Sequence, residues 1–315
     1  MLRVLIYHRI ADPESSPRLD PALVSATPDV FKRQMQYLAA RFRVVSLSDV
    51  LRAFQKGTAL PEDAVLVTFD DAYADFGTTA WPILKSLGLP AALFVPTAYP
   101  DSPNQLFWWD RLYCAVTSTT RPELESSPFG TMSLRTREDR LETFRRLREH
   151  LKNSAHQEVM RVVDETCDRL GGVPLTTNGV LSWDELRTLS SEGVALAAHT
   201  RTHPLLTRIA SDAAREEIVG SQRDLEHHIG DTVPVFCFPG GQHNDTLVSI
   251  LKQEGFKLAF TTVRGSNDLE CADPWRLRRI NITRTTSPLM FRLRLTGLGV
   301  QVDAWRHARR RRRLH

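Results

Sequence analysis

The sequence has few cysteines and no long hydrophobic run. Its four cysteines stand far apart without CxxC spacing, which predicts reduced thiols rather than a zinc knuckle or a disulfide framework. The longest apolar stretches, such as 64–69 and 91–95, are much shorter than the roughly 20 residues of a membrane-spanning helix. The apolar run at 4–7 lacks the length and the cleavage site of a signal peptide. We therefore expect a cytoplasmic protein with no transmembrane helix.

Excess positive charge is confined to the C-terminus. The net charge is +4, but six arginines lie in the last ten residues, and the remaining chain has 35 basic and 37 acidic residues. The body is therefore close to neutral, and because it shows no groove-binding motif we expect no nucleic-acid partner. The tail, 301–315, is predicted to be a solvated, disordered end. The alternative is peripheral contact with anionic lipids at the inner membrane face.

Short β-rich runs alternate with helical patterns, which predicts a parallel sheet covered by helices. This number of strands suits a barrel better than a small open sheet. The seven candidate strands are 3–8, 64–69, 91–95, 194–198, 233–238, 257–262 and 277–283.

One stretch, 99–180, interrupts this alternation. It shows no convincing strand but has helical patterns at 106–116, 137–151 and 157–170, which predicts a helical insertion. Its aromatic entry, 107–109, is expected to pack on the barrel, or alternatively to cover a substrate cleft. The predicted segments are 1–98 for the first part of the barrel, 99–180 for the insertion, 181–300 for the second part of the barrel and 301–315 for the tail.

Two apolar strands end in residues that can bind a metal ion. The first runs into the adjacent carboxylates Asp70 and Asp71, and the second into His199 and His203, an HxxxH pair. Two imidazoles and one carboxylate leave coordination positions open for water and substrate, and barrel enzymes collect such groups at the carboxyl ends of strands. Both aspartates can face one site only if the chain turns between them. The alternative for the aspartates is an N-cap pair of the following helix.

A metal at this place would suit amide hydrolysis. It would lower the pKa of bound water and polarise a carbonyl, while a second, unligated carboxylate accepts the proton of the water. The oxyanion of a tetrahedral intermediate also needs hydrogen-bond donors. A third strand end offers the backbone N–H groups of Gly240 and Gly241, although an ordinary loop could have the same sequence.

The three strand ends read TFDDAY at 68–73, HTRTHP at 199–204 and FCFPGG at 236–241. In this order they resemble the motifs of the polysaccharide deacetylases, carbohydrate esterase family 4, over roughly 1–98 and 180–290. The resemblance implies a distorted (β/α)7 barrel, an α/β fold. It also implies roles for four residues: Asp70 as the base, and Asp71, His199 and His203 as metal ligands.

Some features depart from the usual family pattern. The aromatic residue expected after Pro239 is Gly240, which keeps a backbone N–H for the oxyanion but loses a ring that would contact sugar. The last motif of the family often places a histidine on a strand near the C-terminal end of the barrel. The sequence shows no such strand after Thr283. The opening 5–10 resembles circularly arranged members, similar to poly-N-acetylglucosamine deacetylases, which makes His8 the candidate general acid. A structural role for this histidine is the alternative.

The last motif is represented by DPWRLRRI at 273–280. The resemblance implies substrate contacts for Pro239 and Trp275. It also implies a place for Arg279 beside Asp70, where a cation would keep the aspartate ionised and oriented. Alternatively, the arginines of this segment are surface charges on an edge strand.

These residues together favour a metal-dependent hydrolase that removes the N-acetyl group of an amino sugar in a polysaccharide, oligosaccharide or lipid-linked precursor. Zinc is the expected metal, and cobalt, nickel or manganese would fit the same ligands. The alternatives are a deformylase or amidohydrolase for another amide, and a non-catalytic carbohydrate-binding barrel. The sequence indicates no oligomeric state.

Overall fold

The computed structural model describes residues 1–15, 18–126, 129–173, 179–230 and 232–296. The predicted tail and the end of the second barrel segment lie outside the described residues.

The described residues contain twelve β-strands and ten α-helices. The strands are β1 (Arg3–Tyr7), β2 (Arg9–Ile10), β3 (Val24–Ala26), β4 (Arg43–Val44), β5 (Ala64–Phe69), β6 (Ala92–Val95), β7 (Glu123–Ser126), β8 (Gly130–Ser133), β9 (Ala195–Ala198), β10 (Val235–Cys237), β11 (Leu258–Arg264) and β12 (Leu277–Asn281). The helices are α1 (Pro28–Arg41), α2 (Leu47–Lys56), α3 (Trp81–Ser86), α4 (Trp108–Ser118), α5 (Arg137–Leu151), α6 (His156–Arg169), α7 (Trp183–Ser191), α8 (Ser211–Ile229), α9 (Asp245–Gln253) and α10 (Pro288–Leu295).

Seven parallel strands close into a barrel. The order around the ring is β1, β12, β11, β10, β9, β6 and β5, and β5 pairs again with β1 along its whole length. These are the seven strands expected from the sequence, with ends that differ by at most two residues. The prediction of a distorted (β/α)7 barrel is therefore confirmed. The short strand β4 adds to the start of β5.

Alternate residues of each barrel strand face two different cores. Val65, Val67 and Phe69 of β5 belong to the buried cluster that includes apolar residues of the surrounding helices. Leu66 belongs to a second buried cluster, to which other barrel strands also contribute. Because side chains alternate along a strand, this second cluster fills the barrel interior. Thr68 and then Asp70 continue the inward face of β5, toward the carboxyl end of the barrel.

The segment between β6 and β9 forms a subdomain with its own core. Helices α4, α5 and α6 pack together around buried apolar residues such as Leu112, Phe144 and Val163. The antiparallel hairpin β7–β8 was not predicted from the sequence. Its strands bury little except Leu124 and Met132, so the alternation of apolar residues is too short to recognise. The boundaries 99–180 stay a prediction.

The two ends of this subdomain meet at the barrel. The N–H of Val180 donates to the carbonyl of Pro103 at 3.1 Å, and the N–H of Ala74 donates to the carbonyl of Gly179 at 3.1 Å. The chain thus leaves and re-enters the barrel at one place.

Among the described residues, no helix is long and apolar enough to span a bilayer.

We expect Gly179→Ala to destabilise the protein at this junction. An added Cβ would lie 1.7 Å from the carbonyl oxygen of Pro103, so the backbone must move and the hydrogen bonds at the junction must weaken. The control is Gly57→Ala, where a Cβ meets nothing within 4 Å and only the left-handed backbone is strained, at about 1–2 kcal/mol. Thermal unfolding should show a larger fall in Tm for Gly179→Ala. An equal fall in both variants would contradict the close approach.

Candidate metal centre and active site

The chain turns sharply where the two metal-binding motifs follow their strands. Asp71 has a φ of 73° and Ala72 a φ of 49°, and in the second motif Thr200 and His203 have φ values of 64° and 58°. These four are the non-glycine residues with positive φ in the described part of the chain. Such strain is typical of functional sites. The turn at Asp71 is the one that the sequence required if both aspartates were to face one site.

Asp71, His199 and His203 converge on one point. Oδ1 of Asp71 lies 3.5 Å from Nε2 of His199 and 3.2 Å from Nε2 of His203. All three side chains are largely buried. Oδ1 of Asp71 and Nδ1 of His203 have no partner with hydrogen-bond geometry. A buried oxygen without a donor is costly unless a cation accepts its lone pair, so this set fits a divalent metal ion.

His199 is oriented by the third motif. Its Nδ1 lies 2.7 Å from the carbonyl oxygen of Cys237. A protonated Nδ1 donates to this oxygen and leaves the lone pair of Nε2 directed to the side of Asp71. Fixing a tautomer in this way is a common supporting contact of metal-binding histidines.

Asp70 forms a buried ion pair with Arg279. Nη1 and Nη2 of Arg279 donate to Oδ1 and Oδ2 of Asp70 at 2.7 and 2.8 Å, and the arginine is fully buried. Its other hydrogen bonds go to the carbonyl of Thr261, the hydroxyl of Thr68 and Sγ of Cys237. Burial alone would raise the pKa of Asp70, but the charge and hydrogen bonds of Arg279 outweigh it and lower this pKa below its ordinary value. Asp70 is therefore held as an oriented carboxylate.

A second group of metal-binding atoms lies close by. Asp70, His199 and Cys237 also bring one ligand atom each within 4.8 Å of one another. In this group the carboxylate and the sulfur both accept hydrogen bonds from Arg279, and burial raises the pKa of the Cys237 thiol. A protonated thiol bonded to a guanidinium is a poor ligand. The Asp71 group is therefore the better metal site.

These groups open into a cavity of about 320 Å³. Pro239 and Trp275 are not among its lining residues. The indole N–H of Trp275 instead donates to the carbonyl of Phe256 at 3.1 Å, so the sequence-based role of this ring as a substrate contact stays a prediction. The candidate site residues that line the cavity are His8, Asp70, Asp71, His199, His203 and Gly240.

The inserted subdomain forms part of the same cavity. Trp108 and Trp109 line it, and the ring of Trp109 packs edge-on against His203 at 4.9 Å between centroids. The aromatic entry therefore packs on the barrel and also contributes to the wall of the site.

A buried hydrogen-bond chain holds Trp109 in this place. The indole N–H of Trp109 donates to the hydroxyl of Tyr73 at 2.9 Å, and this hydroxyl donates to Asp110 at 2.8 Å. The guanidinium of Arg9 lies over the ring of Tyr73, 4.1 Å from its centroid. Burial raises the pKa of Asp110 to about 7, against the effect of Arg9.

Comparison with known proteins identifies the family. The model of the polysaccharide deacetylase family matches residues 57–259. The chain belongs to the polysaccharide deacetylases. The poly-β-1,6-N-acetyl-D-glucosamine N-deacetylase of Escherichia coli K12 is 30% identical over 98 residues, which are 31% of this chain and only 14% of that relative.

Solved structures share the fold of this chain. The deacetylase PplD of Streptococcus pyogenes, solved with acetate, is 20% identical and has a TM-score of 0.63, covering 94% of this chain and 98% of its own. IcaB of Ammonifex degensii is 18% identical with a TM-score of 0.61, covering 94% and 97%. At these identities the likeness establishes the barrel and leaves the substrate open.

Several residues of the site were not found from the sequence. Cys237 could have been, because it shares the inward face of β10 with Val235 and lies within the third motif. Tyr73 and Asp110 are linked only by the three-dimensional fold, as are the residues of the insertion that line the cavity. No local pattern distinguishes them from ordinary core and surface residues.

We expect Arg279→Met to destabilise the protein strongly. It leaves the carboxylate of Asp70 buried without its cation, a loss of about 3–5 kcal/mol in the free energy of unfolding. Adding Asp70→Asn should recover part of the loss, which denaturant unfolding of both variants measures. The control Arg145→Met removes an exposed i,i+3 pair with Glu142 and should scarcely change stability. A loss for Arg279→Met no larger than that of the control would contradict a buried pair.

The raised pKa of Asp110 predicts a pH-dependent effect of Asp110→Asn. The unfolded aspartate ionises near pH 4, so between about pH 4 and 7 the folded state retains a proton that the unfolded state has lost. The free energy of unfolding of wild type should therefore fall as the pH rises from about 4 to 7, relative to that of Asp110→Asn. The asparagine keeps an acceptor for Tyr73. Urea unfolding at a series of pH values tests this, with Asp164→Asn on the surface of the same subdomain as control. A difference between wild type and Asp110→Asn that does not change with pH would count against the shifted pKa.

Proposed function

We propose that this chain is a metal-dependent N-deacetylase that hydrolyses the acetamido group of an amino sugar in a polysaccharide, oligosaccharide or lipid-linked glycan. The observation that carries the proposal is the convergence of Asp71, His199 and His203, with unsatisfied buried atoms, beside the ionised Asp70 in one cavity. Family membership and the name of the curated relative support the same reaction.

The metal site would be formed by Asp71, His199 and His203. A divalent cation bound there supplies Lewis acidity, which lowers the pKa of a water ligand and polarises the amide carbonyl. Two imidazoles and one carboxylate suit zinc, and the same donors also bind cobalt, nickel or manganese. The identity of the metal belongs to this proposal.

Asp70 is the proposed general base. Its two oxygens each accept a hydrogen bond from Arg279 and keep a further lone pair for the proton of the attacking water. Arg279 is a positioning residue, because it holds the carboxylate ionised at one place and does not face the cavity itself. The fixed carboxylate removes the need for reorganisation during proton transfer.

The leaving amine and the oxyanion need their own partners. His8 follows β1 directly and lines the cavity, so it is the proposed acid that protonates the amine. Gly240, with a φ of 60°, presents its backbone at the cavity wall, and its N–H is the proposed oxyanion donor. Substrate contacts of Pro239 and Trp275 stay predictions.

The acyl group and the carrier distinguish the alternatives. A deformylase or amidohydrolase would use the same groups on another amide. A non-catalytic carbohydrate-binding barrel would have no use for a buried base beside a metal-binding set. A cytoplasmic location and membrane contact through 301–315 stay predictions.

The test of the reaction combines metal content with acetate release from a β-1,6-linked N-acetylglucosamine oligomer. We expect wild type to hold about one metal ion and release acetate. Asp70→Asn should keep the metal but lose turnover by about 10²–10⁴-fold, and His199→Ala should lose both. His227→Ala, an exposed histidine on α8, is the matched control. Metal without acetate would move the reaction to another amide or to binding alone, and formate release from a formamido sugar would favour the deformylase.

Metal binding should also be visible in stability. At a zinc concentration about a hundredfold above the Kd, a folded-state ligand adds about 2.7 kcal/mol, so added zinc should raise the Tm of wild type. The variant Asp71→Ala should lose this increase, whereas Asp212→Ala, at the exposed start of α8, should retain it. An equal response of Asp71→Ala and wild type would place the metal elsewhere.

A further inference from the structure

One wall of the cavity carries positive charge that the proposed chemistry does not use. The end of α5 contributes Arg148 and Lys152 to this wall, and the barrel loop after β9 contributes Arg208. The cationic side chains therefore come from two separate parts of the fold. The near-neutral body of the chain does not lead one to expect such a local excess.

Acidic side chains do not compensate for these cations within the cavity. Among the described lining residues, the carboxylates are those of Asp70 and Asp71. Asp70 is paired with Arg279, and Asp71 is committed to the proposed metal. The metal-loaded site would therefore present a net positive field at the mouth of the cavity.

The three cations differ in their partners. Arg148 pairs with the buried Asp20 at 2.6 Å and lies 5.0 Å from the ring centroid of Phe144. It is fixed in the wall and largely neutralised. Lys152 and Arg208 are exposed, and among the described residues neither side chain has an ion pair or hydrogen bond.

Helix electrostatics accounts for only part of this arrangement. Lys152 is the C-cap residue of α5, where a cation interacts favourably with the helix dipole. However, partial desolvation and the charge of Arg148 lower the pKa of Lys152, so its surroundings favour an additional anion. The dipole of α5 also does not explain why Arg208, on another element, faces the same cavity.

We propose that Lys152 and Arg208 bind an anionic group of the substrate, a carboxylate or a phosphate ester carried close to the N-acetylated sugar. This inference rests on the proposed function and deepens it, because it specifies the substrate class as acidic glycans rather than a neutral homopolymer. The insertion supplies one cation and the barrel the other, so the subsite exists only when the two parts are packed together. Guanidinium and ammonium groups are the usual partners of both oxyanions.

The activity test uses the zinc-loaded full-length protein and three substrates of matched length. One is a neutral N-acetylglucosamine oligomer, one alternates N-acetylglucosamine with a uronic acid, and one carries a phosphate ester on the reducing-end N-acetylglucosamine. Amine release gives kcat/KM at low and at high salt. The variant is Lys152→Gln/Arg208→Gln, and its control is Lys56→Gln/Arg41→Gln, which removes two exposed cations from the last turns of α2 and α1.

We expect kcat/KM of wild type to be about tenfold higher for an acidic substrate than for the neutral one at low salt, mainly through a lower KM. This preference should be reduced at high salt. Lys152→Gln/Arg208→Gln should lose most of this preference, and the control should keep it. Comparison of the uronate and phosphate substrates shows which anion is favoured. No preference in wild type, or the same preference in the variant, would overturn the proposal.

A binding measurement separates this inference from the proposed function. Trp108 and Trp109 line the cavity, so quenching of tryptophan fluorescence by N-acetylglucosamine 1-phosphate reports on binding without turnover. If none of the three substrates is hydrolysed, the proposed function fails. Weaker binding of this probe to Lys152→Gln/Arg208→Gln than to the control would then still support the anion subsite, and equal binding would overturn it.

Discussion

The buried pair of Asp70 and Arg279 is the interaction on which the rest of the site depends. It joins the end of β5 to the middle of β12, two strands that are separated in the ring by β1, across the interior of the barrel. Neither charge could remain in this interior without the other, because desolvation would outweigh any single hydrogen bond. The pair thus closes the apolar core at its carboxyl end and fixes the carboxylate next to Asp71. The same contact stabilises the fold and orients the proposed base, so a substitution that breaks it should lower both stability and activity.

The two turns that carry the proposed metal ligands depend on support from neighbouring elements. Residues in the left-handed region cost about 1–3 kcal/mol each unless the surroundings fix them. After β9, Glu217 of α8 accepts hydrogen bonds from the N–H groups of Arg201 and Thr202 at 2.8 and 2.9 Å. The hydroxyl of Thr200 accepts one from the N–H of His203 at 3.1 Å. The imidazoles are therefore held by a loop that is short, strained and hydrogen-bonded to a long helix.

The sequence was sufficient to predict the barrel and to single out polar residues that the structure groups at its carboxyl end. Each barrel strand is a buried apolar run, and the strand ends carry Asp70, Asp71, His199 and His203, so local patterns indicate them directly. The resemblance then indicated Arg279, whose place beside Asp70 the geometry bears out, and whose alternative as a surface charge is wrong because the side chain is fully buried. The roles of these residues in catalysis remain to be measured.

The wall of the cavity could not be predicted for a physical reason. Lys152 and Arg208 lie on surfaces that look like ordinary solvated faces in the sequence, and only tertiary packing brings them to one cavity. The same holds for the hydrogen-bond chain from Trp109 through Tyr73 to Asp110, in which Tyr73 lies more than thirty positions from the other two residues. The hairpin β7–β8 escaped because its strands are short and mostly polar.

The junction of the inserted subdomain has a consequence for how such proteins diversify. Because Pro103 and Val180 are hydrogen-bonded neighbours, residues can be gained or lost between them without shifting the register of any barrel strand. The part of the cavity wall that the insertion supplies can therefore change while the strand ends that carry the polar residues of the site stay the same. A lineage can retain the barrel and its buried polar site while it exchanges the surface around the mouth of the cavity.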